Sequence, residues 1–376
     1  MSVRCRAQGP AARLTKKNTP GKPGVFFCRP VGRGDSLSPC GEVKAAPILD
    51  PARMPRLARV RRDGRQSGRR IGMWAWMSGS RGQRLKNRLR EWNWQLQRRL
   101  RRTLDVSTLQ GRFTVHTWDD YISKPLYLSG QFELALLTDA LAFLRSKGMC
   151  PPRGEGTLVD IGANIGVIAI AALHTGEMAR AIAIEPDPRN FALLERNVGH
   201  NGLRERMACL QAAASDLPGE VPFEFCDWNP GDHRVRVAGV SAPGESGDRY
   251  GESRRPVTAV PALPLDDILA AQEPRFGRDI ALIWIDVQGH EGHAFRGAER
   301  TLARGMPVMS ELWPYGLRRS GIEAAEFRSI AQRHWRSYWV RRPQGYEAAP
   351  IDRIESLFEE LGWEGNFTNV LLTAGD

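Results

Sequence analysis

The chain has 376 residues, enough for one large domain or two of ordinary size, and its 41% hydrophobic and 8% aromatic content suits a globular protein with a real core. Its formal charge of +12 suggests a nucleic-acid binder, but residues 1–110 hold 26 Lys+Arg and 6 Asp+Glu, a net of +20, whereas residues 111–376 hold 28 and 36, a net of −8. Such asymmetry marks a basic tail joined to a mildly acidic domain, and no named nucleic-acid module accompanies it, so specific nucleic-acid binding is not expected.

Residues 1–72 are rich in Gly, Pro, Arg and Ser and have no hydrophobic period. They cannot bury enough apolar surface to offset their ordering entropy, so disorder is expected. Met73 and Met77 are alternative starts, and the sequence does not choose between them and Met1. The expected organisation is a basic extension over 1–80, a basic amphipathic helix and linker over 81–112, and a folded domain over 113–376. Cys5, Cys28, Cys40, Cys150, Cys209 and Cys226 show neither C-x-x-C nor zinc-finger spacing and read as free thiols in a reducing compartment. No apolar run reaches ~18 residues. The opening residues lack the apolar core of a secretory signal. The expected location is therefore the cytoplasm, with an option on the membrane surface.

That option comes from residues 81–104, which read as a helix. Leu85, Leu89, Trp92, Leu96 and Leu100 draw one apolar stripe, and the opposite face carries Arg84, Arg88, Arg98, Arg99 and Arg102. Such a helix either packs on its own domain or lies on an anionic membrane surface.

From Phe113 onward strand and helix alternate. LVDIG (158–162), AIAIEPD (181–187), MACLQAAA (207–214), IALIWIDV (280–287), PVMSELW (307–313) and NVLLTA (369–374) read as buried strands. Residues 164–173, 189–198, 265–271 and 290–303 read as helices. Residues 226–256, rich in Gly, Pro and Arg, read as a surface loop. Near-continuous apolar strands alternating with helices predict an α/β fold, a doubly wound and mostly parallel sheet covered on both faces.

In such a sheet ligands bind at the carboxyl ends of the strands, near the reversal of strand order. There stand Asp160, Gly162, Ala163, Asn164 and Gly166, followed by Glu185 and Pro186. A dinucleotide site needs G-x-G-x-x-G, but Asn164 replaces the second glycine and Asp160 would repel a pyrophosphate. Asp160 favours a ligand bearing an ammonium, as S-adenosylmethionine does. Glu185, 23 residues after Gly162, can accept hydrogen bonds from both ribose hydroxyls of either cofactor.

These residues belong to an ordered set: YLSGQFE (127–133), VDIGANIG (159–166), IAIEPDP (182–188), LDDIL (265–269), WIDVQGHE (284–291) and the closing TNVLL. The set resembles the FkbM family of methyltransferases over about residues 113–374, with Gln288 where the family usually has Glu. The resemblance implies a Rossmann-like class I methyltransferase domain that uses S-adenosylmethionine, most often on a hydroxyl of a sugar or natural product, so a small-molecule or glycan acceptor is expected. By the same resemblance Asp160, Gly162, Asn164 and Gly166 cradle the methionine part, Glu185 holds the ribose, and Ala213, Ala214 and Ser215 lie along the adenine. A hydroxyl acceptor benefits from a general base, and the candidates are Asp286, His290 and Glu291, with His293 and Glu311 behind them. His290 and His293 do not form H-E-x-x-H, and no metal is expected. Trp313, Tyr315, Trp335, Tyr338 and Trp339 read as core or as a sugar-stacking surface. A non-catalytic domain whose basic N-terminal segment binds membrane or nucleic acid is the alternative function.

Overall fold

The structure is a computed structural model. It describes residues 81–237, 249–272, 275–276 and 279–375, together with the two-residue strands β1 (Leu14–Thr15) and β2 (Phe27–Cys28), which pair antiparallel. The chain divides into two compact units, Met1–Arg65 and Gln66–Asp376. Apart from β1 and β2, the expectations for residues 1–80 lie outside the described residues.

The second unit opens with α1 (Arg81–Leu100), whose end falls short of the predicted residue 104. Residues 101–112 are not the linker expected of them. They enter a hairpin, β3 (Thr103–Thr108) and β4 (Gly111–His116), whose Phe113 and Val115 are fully buried. The change of composition at Phe113 is therefore no structural boundary. Helices α2 (Ser123–Ser129) and α3 (Leu134–Ser146) follow.

Then comes the alternation that the apolar runs predict: β5 (Thr157–Ile161), α4 (Val167–His174), β6 (Arg180–Ile184), α5 (Pro188–His200) and β7 (Met207–Leu210). Helix α4 is apolar all round because Val167 to Leu173 are all buried. Helix α5 starts where Asp187 accepts a hydrogen bond from the Arg189 backbone N–H (2.8 Å) and Pro188 takes the first turn.

The predicted third strand breaks in two. Its second half, β8 (Ala213–Ser215), leaves the main sheet for another, formed with β9 (Gly219–Glu224), β10 (Arg234–Val235) and β11 (Val257–Pro264) in the order β10–β9–β11–β8. The chain returns through α6 (Leu265–Gln272) to β12 (Ile280–Ile285). The expected helix over 290–303 is also two pieces, α7 (Glu291–Arg296) and α8 (Glu299–Leu302). The break falls at Gly297, where a Cβ would stand 1.9 Å from the Ser215 carbonyl oxygen, so only glycine lets the two chains meet. The remainder is β13 (Val308–Leu312), α9 (Pro314–Arg319), α10 (Ala324–Ala331), β14 (Ser337–Arg342), β15 (Gly345–Pro350), α11 (Ile354–Leu361) and β16 (Thr368–Thr373).

The main sheet runs β7–β6–β5–β12–β13–β16–β14–β15, parallel from β7 to β13 and antiparallel beyond. Alternation along each strand splits the core over its two faces. Leu158, Ala183 and Trp284 join one apolar cluster, and Val159, Ile182 and Ile283 the other. Strand order reverses between β5 and β12, which brings the ends of these two strands side by side.

Candidate active site

At the reversal point the loop after β5 lies against the end of β12. Gly162 has φ +82°, and a Cβ on it would stand 1.9 Å from the Asp286 carbonyl oxygen, so bare backbone is required there. Asn164 is also left-handed, at φ 51°. Its backbone N–H donates to Glu185 Oε2 at 2.8 Å, and its side-chain amide donates to the Pro230 carbonyl at 3.1 Å. Glu185 Oε1 accepts from the Asp187 N–H at 2.8 Å. Burial pushes the Glu185 carboxyl up to about 8, while these two backbone donors pull it down. Each carboxylate oxygen keeps further acceptor capacity for a ligand hydroxyl.

A cleft opens here, and its lining includes Gly162, Asn164, Glu185, Pro186, Ala213, Ala214, Asp286 and His290. All eight were predicted site residues. Asp160, Ala163, Gly166, Ser215 and Glu291 are not in the lining. Asp160 Oδ2 accepts from the Ala169 N–H at 3.1 Å, so its carboxylate secures the start of α4 behind the loop. Burial pushes it up to about 7. Glu291 folds back on its own turn, where Oε1 accepts from the Val287 and Gly289 N–H groups at 3.1 and 3.3 Å. It is fully buried, and burial pushes it up to about 7.

His290 meets Ser215 Oγ at 3.0 Å, which ties the β12 turn to β8. Its ring stacks on His293 with centroids 4.4 Å apart. Burial, then the neighbouring His293, push His290 down to about 3. A group so reluctant to accept a proton is a weak general base. His293 Nδ1 lies 3.2 Å from an Asp216 oxygen and its Nε2 lies 2.9 Å from the Ser320 carbonyl. These two contacts hold the His293 ring in place. Among the described residues no group of His, Cys, Asp and Glu could hold a metal ion.

Asp286 is better placed. It ends β12 and lines the cleft, and burial raises its carboxyl. Gln288, left-handed at φ 55°, donates its amide to Asp286 Oδ1 at 2.7 Å and approaches Glu311 Oε1 at 3.5 Å. Glu311 is raised well above the ordinary carboxylate range by burial, then by the charges of Asp286, Glu291 and Glu133. Glu133 is the third non-glycine residue with a left-handed backbone (φ 53°), and its carboxylate lies within electrostatic reach of Asp286 and Asp160.

The roof of the cleft comes from the segment that the sequence presents as a surface loop. Pro230, Gly231, His233 and Val235 line the cleft, and Asn190 joins Asn164 in donating to the Pro230 carbonyl, also at 3.1 Å. His233 Nδ1 accepts from the Cys226 N–H at 2.9 Å, so its proton sits on Nε2, 2.9 Å from Asp187. Behind the lining stands a buried ion cluster. Asp232 pairs with Arg234 and Arg255, while Glu224 and Glu252 each lie 3.5 Å from Arg234. Residues 238–248 lie outside the described residues. The only signal in the sequence was the matched number of Arg and carboxylates around a Gly/Pro-rich stretch.

The aromatic residues are not a sugar platform. Trp335, Tyr338 and Trp339 are core, and Trp313 carries the Arg234 guanidinium 4.8 Å above its ring. Tyr315 donates its hydroxyl to Glu252 at 2.8 Å. Cys150, Cys209 and Cys226 are free thiols, as expected.

Comparison with known proteins bears on this site. The family model described as the methyltransferase FkbM domain matches residues 160–361, more than half of the chain. Methyltransferase sdnD of Sordaria araneosa is 28% identical over 183 residues, covering 43% of this chain and 68% of that protein. The 2-O-methyltransferase NoeI of Sinorhizobium fredii is 28% identical over 160 residues, covering 42% of this chain and 63% of that protein. A solved structure of the methyltransferase FkbM from Methylobacillus flagellatus aligns at 16% identity and a TM-score of 0.35 over 68% of this chain, which spans only 55% of that one.

Proposed function

This chain belongs to the FkbM methyltransferase family, and from that premise we infer that it transfers a methyl group from S-adenosylmethionine to a hydroxyl of a sugar or natural product. The observation that carries the choice of donor is the charge of the cleft. Its lining holds no Lys or Arg to neutralise a pyrophosphate, whereas Glu185 and Asp286, whose carboxyls burial raises in the empty cleft, ionise against a ligand that brings an ammonium and a sulfonium. When bound, the donor supplies an electrophilic methyl group. Gly162 and Asn164 give it backbone to lie on, with Gly166 turning the loop into α4 and Asp160 adding negative potential from behind. Ala163 seals the loop against the core. Glu185 holds the ribose hydroxyls, next to Pro186. Ala213 and Ala214 flank the adenine, and Ser215 with His290 fixes that wall.

Asp286 is the residue assigned to take the acceptor proton. Burial raises its carboxyl, which makes it a stronger proton acceptor than an exposed aspartate. The hydroxyl acceptor is supported by the relative named as a 2-O-methyltransferase.

Calorimetric titration of the full chain tests the donor. S-adenosylmethionine is expected to bind in the micromolar range and NADH not at all, with Glu185→Ala weakening binding about tenfold, or about 1.4 kcal/mol. Binding of NADH alone would refute the assignment. With labelled donor and a panel of hydroxylated sugars, Asp286→Asn is expected to lower kcat about a hundredfold.

A further inference from the structure

Helix α1 carries its apolar stripe on the wrong side for packing on its own domain. Its anchor is Trp94, fully buried and 5.3 Å from the ring of Tyr127. Asn93 donates to the Tyr127 hydroxyl at 2.6 Å, Glu91 pairs with Lys124 at 2.7 Å, and Arg98 pairs with Asp120 at 3.0 Å. At 3.6 residues per turn, Leu85, Leu89, Trp92, Leu96 and Leu100 fall within an arc of about 80° roughly opposite Trp94. Four of them are open to solvent: Leu85 60%, Leu89 57%, Trp92 65% and Leu100 66% exposed. Arg88 and Arg99, expected on the opposite face, run instead along one edge of the stripe, and Lys86 stands at the other, all exposed. Among the described residues no carboxylate pairs with these three, nor with Arg101 or Arg102 just beyond the helix. Neither α1 nor any other helix among the described residues is long and apolar enough to cross a membrane.

We propose that α1 docks the enzyme on an anionic lipid surface, its leucines and Trp92 entering the headgroup layer while Arg88, Arg99 and Lys86 meet lipid phosphates. Charge selects this occupant. Residues 1–80 hold 17 Lys+Arg against 4 Asp+Glu, so the chain's own extension would bring like charge onto a basic helix. A second copy of α1 would do the same. A nucleic acid would satisfy the arginines but leave Leu85, Leu89 and Leu100 in water, whereas a lipid interface takes both halves of the face. The acceptor would then be met at the membrane surface.

The test is co-sedimentation of the full chain with vesicles of equal parts phosphatidylcholine and phosphatidylglycerol, and with pure phosphatidylcholine. Two variants accompany it, Leu89→Glu with Trp92→Glu, and Arg88→Glu with Arg99→Glu. All four positions are exposed, and unchanged circular dichroism and donor binding verify that each variant folds. Binding to the anionic vesicles only, lowered about tenfold or more by each variant, is the expected result. No binding by the parent, or equal binding by the Leu89/Trp92 variant, overturns the proposal. So does a parent that binds duplex DNA and ignores vesicles, or one that self-associates through the stripe.

Discussion

Glu185 shows how one side chain joins structure to ligand. Its two oxygens hold the Asn164 and Asp187 N–H groups, so it shapes the loop that a ligand will touch. Burial raises its carboxyl to about 8, above the ordinary glutamate value of 4.5. Between these values the native state keeps a proton that the unfolded chain has released. That contribution to stability is complete below the lower value and lost as pH rises through the upper one. Glu185→Gln cannot titrate. Its melting temperature, measured against the parent's, is therefore expected to climb between about pH 5 and pH 8. Parallel curves for the two proteins would show that Glu185 is already ionised in the empty cleft.

At the scale of elements, legibility followed how each piece is stabilised. Strands β5, β6, β12, β13 and β16 are buried on both faces or against neighbours, which imprints a run of apolar residues on the sequence. The loop after β5 was legible because glycine and asparagine are the residues that accept its left-handed turns. The hairpin β3–β4 was not. It is secured from α5 by Asn197, which accepts from the Thr114 N–H at 2.6 Å and donates to the Thr114 and Ile165 carbonyls. Those partners are 83 and 32 residues away, beyond any local pattern. The roof was hidden for a related reason: charges that read as solvated are buried because they pair with one another. Removing Asp232 leaves two buried arginines sharing fewer carboxylates, so Asp232→Ala is expected to cost about 3–5 kcal/mol. Chemical denaturation measures that loss, and donor binding should fall with it because Pro230 and His233 are held by the same segment. A loss below about 1 kcal/mol would mean that water relieves the cluster.

For the whole molecule, the division of charge between the first 110 residues and the rest gains a structural counterpart. Residues 81–116 form a helix and hairpin built onto the domain, so the charge of this stretch is carried by the domain itself. The sequence could place the apolar stripe of α1 on a helix but could not say which way it faced. The burial of Trp94, outside the stripe, decided that. Glu133, Asn164 and Gln288 are, among the described residues, the non-glycine positions with a left-handed backbone, and Asn164 and Gln288 line the cleft. A selection for heat resistance alone would therefore erode this molecule from the cleft outward. Glu133 makes no capping hydrogen bond in its place before α3, so Glu133→Gly is the first gain such a selection should find, up to about 1 kcal/mol in thermal denaturation. Asn164 and Gln288, whose side chains bridge loop to roof and carboxylate to carboxylate, mark where durability and chemistry ask for different residues.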